Sequence, residues 1–365
     1  MSFFSRKKDV AHYRLIVNLE PHSVGIGLTK AHSSKIEYID RQYISYSGKP
    51  SLHHVQAKVK ALAKHMLHTK VIPFIGNGKI SSGLCIHSST WSIAEAHTLD
   101  MHFPKPVKVT ERLVAEKIQH HRTHSSEQAG LRNLELVYHH VQNIRLNGYN
   151  APKPFGNTAS HISCDLIEGF IDTSMKKVSE EIILTYTNTL THVPEGFIIM
   201  NAAQHVLPQH KDVLIVHGDK ETTEIMLGEG DHMRRAASSP IGIHHIIRSL
   251  AASVHGDDKV AFSHLHMAAK GSRILGRKEY VALERAVGEW RTAFLKTAHA
   301  LCGENLPESI AFYAALQDMP IAEFLLKDEK IAVWSGKKHE ITNLFGKKSF
   351  QHDLMIAAGA LYVVE

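Results

Sequence analysis

Histidine is the residue type in this chain that most invites a chemical reading. Twenty-nine of the 365 residues are histidine, and neutral imidazole is the commonest metal ligand. Adjacent pairs occur at His53-His54, His120-His121, His139-His140 and His244-His245, with His264 and His266 two apart. Adjacent side chains leave a helix in different directions. No H-E-x-x-H pattern and no two-Cys, two-His spacing is present. The expectation is therefore scattered core and surface histidines and no metal. Cys85, Cys164 and Cys302 lie far from one another in apolar contexts, so neither a disulfide framework nor a C-x-x-C knuckle is available, and buried, reduced thiols are expected. Gly76, Gly78 and Gly83 follow an apolar run, but their spacing misses G-x-G-x-x-G and no helix follows, so a turn is expected. Val216-His217-Gly218-Asp219 offers a His and an Asp of the kind metallophosphatases use, without a companion D-x-H or G-N-H-[DE].

The elements that must carry these residues can be read from periodicity. Tyr13 to Leu19 is apolar and rich in β-branched residues, Glu20-Pro21-His22-Ser23 is a polar turn, and Val24 to Leu28 is apolar again, which predicts a β-hairpin. Lys35 to Tyr46 reads as a third strand. Val55, Val59, Leu62, Ala63 and Met66 give Leu52 to His68 helical spacing. Val71 to Ile75 and Gly83 to Ser88 read as strands. Between 100 and 172 the texture changes. Thr110 is placed to cap a helix bearing Leu113, Val114 and Ile118 on one face; Leu134 to Leu146 and Ser160 to Ile171 read as strands around a breaker-rich loop at 151–156. Ser174 to Thr189 reads as a helix and Gly196 to Asn201 as a strand. Asp212 to Val216, a polar turn, and Glu224 to Leu227 then repeat the opening strand-turn-strand. Pro240 to Val254 and Glu279 to Leu301 read as long helices, Ser309 to Ala314 as a strand and Phe350 to Val364 as a closing helix. The stripe Val281, Leu283, Ala286, Trp290, Phe294 and Leu295 reads as core packing.

Composition bounds the function. The chain is 43% apolar and 21% charged, with 42 Lys and Arg against 36 Asp and Glu, a net charge of +6. That is globular, not disordered or fibrous. The charge is spread along the chain, whereas nucleic-acid binders concentrate it, so no nucleic acid is expected. Arg6-Lys7-Lys8 is the one basic cluster and reads as a solvated tail. No stretch approaches the roughly 18 apolar residues of a membrane helix, and the start MSFFSRKK lacks the features of a secretory signal. A cytoplasmic protein is expected.

Two strand-turn-strand units in two similar α/β halves resemble the actin-like ATPase superfamily, in particular its bacterial branch of FtsA and PilM. Asn18-Leu19-Glu20-Pro21-His22-Ser23-Val24-Gly25 stands where the first phosphate motif, D-x-G-[ST]-x-[ST]-V-K, would be, and His217 to Ile225 where the second, D-x-G-x-x-T-T-D-I, would be. Val109-Thr110-Glu111 entering a helix matches the inserted subdomain of that branch, Met233-Arg234-Arg235 through Gly242 the stretch after the second motif, and Ala357-Ala358-Gly359-Ala360-Leu361 its closing helix. The resemblance implies an α/β fold, actin-like and two-lobed (a duplicated ribonuclease H-like unit), with an inserted α+β subdomain. The expected boundaries are 10–99 and 173–210 for the first lobe, 100–172 for the insertion, and 211–365 for the second lobe, within which 244–300 forms a helical subdomain.

The departures from the motifs have chemical meaning. Asn18 replaces the Asp that holds the Mg²⁺ shell and brings no full charge to a hard cation. Glu20 and Asp219 replace glycines that let backbone amides approach phosphate. Ala314-Ala315 replaces Gly-Gly near the base. The remnant phosphate contacts are Asn18, Ser23, Val24, Gly25, Gly218, Thr222 and Thr223. No catalytic residue and no cofactor is expected, with ATP and Mg²⁺ disfavoured. The resemblance implies a pseudo-ATPase scaffold, cytoplasmic and peripheral to the inner membrane, that captures the short cytoplasmic tail of an inner-membrane partner in pilus or secretion assembly or in cell division. Membrane contact is expected to be indirect, and self-association fits the same class. FtsA has an amphipathic helix beyond its last domain, and the chain's ending at Glu365 favours the PilM-like role. The alternative is an active ATPase or sugar-kinase-like phosphotransferase with divergent phosphate motifs.

Overall fold

The structure is a computed structural model that describes residues 10–31, 33, 35–46, 51–128, 133–206, 212–218, 221–229, 232–254, 256–272, 275–307, 309–314, 324–326, 332–334 and 353–362. The chain opens with β1 (His12–Glu20), β2 (Ser23–Lys30) and β3 (Ile36–Tyr43), an antiparallel meander that begins with the expected hairpin. Ser51 caps α1 (Leu52–Met66) by accepting from the His54 amide. One π-helical turn, Leu67–Val71, and the short α2 (Ile72–Ile75) lead to β4 (Lys79–His87), which returns parallel to β1. Val71 to Ile75 is thus helical and not the expected strand. Pro73 sits in the first turn of α2, where its missing N–H costs nothing.

The inserted segment is β5 (Ser92–Lys108), α3 (Glu111–Gln128), β6 (Leu134–Leu146), β7 (Tyr149–Asn150) and β8 (Thr158–Asp172). Its four-stranded sheet has the order β5-β8-β6-β7. Val114 and Ile118 of α3 pack with Met101, Ile144, Ile162 and Cys164 from the strands. The Thr110 hydroxyl accepts from the Leu113 amide at 3.1 Å, as its position predicts. Pro104 and Pro106 lie where the β5–β8 register breaks, between His102 and Val107. A proline that cannot donate to a ladder is tolerated at such a break.

The chain continues with α4 (Thr173–Ile183), β9 (Leu190–Pro194) and α5 (Glu195–Val206). Gly196 to Asn201, expected as a strand, lies in α5 with Phe197, Ile198, Ile199 and Met200 all buried. The second hairpin is β10 (Asp212–Gly218) and β11 (Thr223–Glu229), extended by β12 (His232–Ser239). Then follow α6 (Ile243–Val254), α7 (Asp258–Ala269), α8 (Arg277–Cys302), β13 (Ser309–Ala314), β14 (Ala332–Trp334) and α9 (Leu354–Tyr362).

The two larger sheets share one plan. The first has the order β3-β2-β1-β4-β9 and the second β12-β11-β10-β13-β14. Each is an antiparallel three-strand meander extended by two parallel strands on the side of its first strand. The chain separates into two compact units: Met1–Trp91, Asp172–Ile198 and Lys338–Glu365 in one, Ser92–Ile171 and Ile199–Lys337 in the other. The closing segment, expected with the second lobe, is grouped with the first sheet. The inserted sheet begins at Ser92, ahead of the expected 100.

In the first unit, Leu15, Val17, Leu19, Ile26 and Leu28 meet Val59 and Met66 of α1 and Met175, Ile182 and Ile183 of α4. The opposite face of that sheet carries α9. A Cβ on Gly27 would stand 2.2 Å from the Ile356 side chain, so α9 lies against bare backbone there. In the second unit the core is Leu214, Val216 and Ile225 under α6, α7 and α8, with Trp290 and Phe294 stacked at 5.3 Å. The expected α8 stripe is buried at Leu283, Ala286, Trp290 and Phe294, whereas Val281 is exposed. Cys85 and Cys164 are buried and Cys302 is half-buried. No helix among the described residues is long and apolar enough to cross a membrane.

Candidate functional site

The end of the first hairpin is a closed network of polar side chains. Strand alternation sends Asn18 of β1 and the open side of Gly25 in β2, which pair in register, toward the face that carries α9. Asn18 is fully buried, and its Nδ2 donates to Glu20 Oε1 at 3.0 Å. The Ser23 hydroxyl donates to Glu20 Oε2 at 2.6 Å. Arg41, on β3, reaches across: its Nη1 donates to Glu20 Oε1 at 2.5 Å and to Ser23 Oγ at 2.8 Å. The rest of the same guanidinium grips Asp353, with Nε to Oδ2 at 2.7 Å and Nη2 to Oδ1 at 2.9 Å. Asp353 in turn caps α9, accepting from the amides of Met355 and Ile356 at 3.1 and 3.2 Å. Burial opposes the charge on Arg41, but Glu20 and Asp353 outweigh it and hold its pKa well above the ordinary value. Gly25 makes room for this: a Cβ there would lie 2.5 Å from Asp353 Oδ2 and 3.0 Å from Arg41 Nη2.

The hydroxyl of Thr223 in the second hairpin is likewise committed to structure. Thr223 Oγ1 donates to the Ile241 carbonyl at 2.8 Å and accepts from Trp290 Nε1 at 3.0 Å. His217 faces Glu224 across the hairpin, Nδ1 to Oε2 at 3.4 Å. Gly218 ends β10, paired with Thr223 on one side and Ala314 on the other. Thr222 lies in the turn, half-buried. Asp219 and Ala315 lie outside the described residues.

A third polar cluster, which the sequence did not announce, lies under α4 in the first unit. Cys85 and His87 of β4 and His192 of β9 are all buried. His87 Nε2 and His192 Nδ1 stand 3.1 Å apart. Burial first, then His192, pushes the pKa of His87 well below its ordinary value, and burial drives the Cys85 thiol far up.

The structure therefore gathers Asn18, Ser23, Val24 and Gly25 at one hairpin and Gly218, Thr222 and Thr223 at the other. Sequence reading missed Arg41 and Asp353, which lie 312 positions apart and whose residue types alone carry no signal of pairing.

Two sheets of one plan, each opening with a hairpin, and a four-stranded insertion after the first parallel strand define an actin-like ATPase fold. A chain of the solved PilM–PilN type IV pilus biogenesis complex superposes with a TM-score of 0.65 at 12% identity, over 96% of this chain and 98% of that one. Weaker likenesses reach the ethanolamine utilization protein EutJ from Carboxydothermus hydrogenoformans, with a TM-score of 0.44, 13% identity, and 88% and 83% of the two chains. A Bacteroides thetaiotaomicron protein described as having an actin-like ATPase fold and unknown function gives 0.43, 10% identity, and 90% and 91%. No protein-family pattern matches the sequence, and no curated protein matches it.

Proposed function

We propose that this chain is a scaffold of PilM/FtsA type, a pseudo-ATPase that recruits the short cytoplasmic tail of an inner-membrane protein in pilus or secretion assembly or in cell division. The observation that carries the reading is the Glu20–Arg41–Asp353 network in the first hairpin. ATP and Mg²⁺, which the fold implies, do not fit these residues. Asn18 Oδ1 is a buried acceptor without a partner, but a single neutral oxygen is a poor anchor for a cation that favours carboxylates. The Glu20 carboxylate repels phosphate, Ser23 is already bonded twice, and both faces of the guanidinium fork are taken by carboxylates. Calorimetry with Mg-ATP is the test: no binding heat is expected up to millimolar nucleotide, and micromolar affinity with turnover would favour the active ATPase or phosphotransferase instead.

The partner half of the reading rests on the likeness to a chain solved in a PilM–PilN complex. It also rests on the inserted sheet, order β5-β8-β6-β7, because the rim of a sheet is where an extended peptide is taken up by backbone pairing. Replacing residues 93–170 with a short Gly-Ser linker should abolish co-purification with the membrane partner while the rest of the chain still unfolds cooperatively in urea. Undiminished co-purification would put the partner elsewhere. In this reading the protein is cytoplasmic, touches the membrane only through its partner, and can self-associate.

A further inference from the structure

Cys85 and His87 are two residues apart on β4, so their side chains leave the strand on one face. β9 lies parallel beside β4 with Cys85 opposite His192, which brings a third donor to that face, beneath α4. One donor atom from each of the three lies within 4.8 Å of the other two. We propose that Cys85, His87 and His192 form a transition-metal site for Zn²⁺ or an ion of similar preference. A thiolate with two imidazoles is a donor set such ions take and Mg²⁺ or Ca²⁺ do not. Bonds of about 2.3 Å to sulfur and about 2.0 Å to nitrogen place tetrahedral donors roughly 3.3 to 3.6 Å apart. The imidazoles are already at 3.1 Å, so the site closes by side-chain adjustment alone. Ser179 Oγ, 3.4 Å from His192 Nδ1, stands on the α4 side, where a hydroxyl or water completes the tetrahedron.

A second feature points the same way. Glu180 Oε1 lies 3.8 Å from His192 Nε2, the nitrogen turned away from His87. A carboxylate behind a ligating imidazole fixes its tautomer and raises its basicity. Glu180 is only partly buried and β9 is the outer strand of its sheet, which gives an ion a way in. Binding releases the thiol proton to solvent, and no redox step is involved.

Chelator-treated protein titrated with Co²⁺ should take up one equivalent with a thiolate-to-cobalt charge-transfer band and the intense visible bands of tetrahedral cobalt, displaced by Zn²⁺. The charge-transfer band separates this site from adventitious histidine binding. Cys85→Ser should lose it, His102→Gln on the insertion should keep it, and Glu180→Gln should weaken Zn²⁺ binding about tenfold with circular dichroism unchanged. Because Cys85→Ser is a core substitution, wild-type protein supplies a second readout: Zn²⁺ should slow alkylation of Cys85, identified by peptide mass spectrometry, at partly denaturing urea. Absence of the charge-transfer band in the wild type, its survival in Cys85→Ser, or alkylation of Cys85 at the same rate with and without Zn²⁺ overturns the proposal.

Discussion

Arg41 holds two carboxylates that have almost no access to water, Glu20 with a side chain 3% exposed and Asp353 with one 1% exposed. Removing the guanidinium strands both, and breaking a buried pair in this way costs about 3 to 5 kcal/mol. Arg41→Ala should lower the unfolding free energy by that amount in urea titrations. Arg41→Lys should recover only part of the loss, because an ammonium cannot reproduce the bidentate fork; full recovery by lysine would show that charge alone matters. His97 makes a separate prediction about pH. Burial, then the neighbouring His121, holds its pKa below the ordinary 6.5, with Glu168 on β8 3.7 Å away and Glu95 nearby on its own strand. In the window just below 6.5 the unfolded chain takes up a proton that the folded one refuses. Stability therefore falls as pH drops, by at most about 1.4 kcal/mol per pH unit for one proton. His97→Gln should flatten the slope of unfolding free energy against pH in that window, and an unchanged slope would assign the dependence to other groups.

The sheet face under α9 is built from glycine where the helix comes closest. Gly27→Ala would put a methyl into Ile356, and overpacking of this kind costs about 1 to 3 kcal/mol. Urea titration should register the loss, and hydrogen exchange should locate it in Leu354–Tyr362; a variant as stable and as protected as the wild type would mean that α9 sits further off the sheet. Much of the fold was legible because hairpins advertise themselves: β-branched runs around a short polar turn gave β1–β2 and β10–β11, and a hydroxyl three residues before an apolar stripe gave the cap of α3. The misses have three separate causes. Phe197-Ile198-Ile199-Met200 is buried all round, and a continuous apolar run carries no period to separate strand from helix. Long β5 was hidden by Pro104 and Pro106, whose effect is absorbed by a register break that only the partner strand reveals. The clustering of Cys85, His87 and His192 was not legible because His192 lies 105 positions from His87, and sheet pairing, not sequence spacing, brings them together.

For the chain as a whole, the reading of a plugged hairpin predicts indifference to nucleotide. A ligand present at 100 times its Kd raises stability by about 2.7 kcal/mol, so millimolar Mg-ATP should leave the melting temperature unchanged, and a rise of several degrees would contradict the scaffold reading. The contact between Arg41 and Asp353 also has a bearing on biosynthesis. Its two residues are 312 positions apart, so while the ribosome is still making the middle of the chain, the face of the first sheet that will receive α9 has nothing to cover it. Ile16, Leu84 and Ile86, which meet α9 at Gly359, face solvent, and Glu20 and Arg41 wait for a helix cap translated 312 residues after Arg41. Long-range closure of this kind is slow and leaves the nascent protein adhesive until then. The first sheet of this molecule, although made first, is covered only after the last strand of the second has been translated.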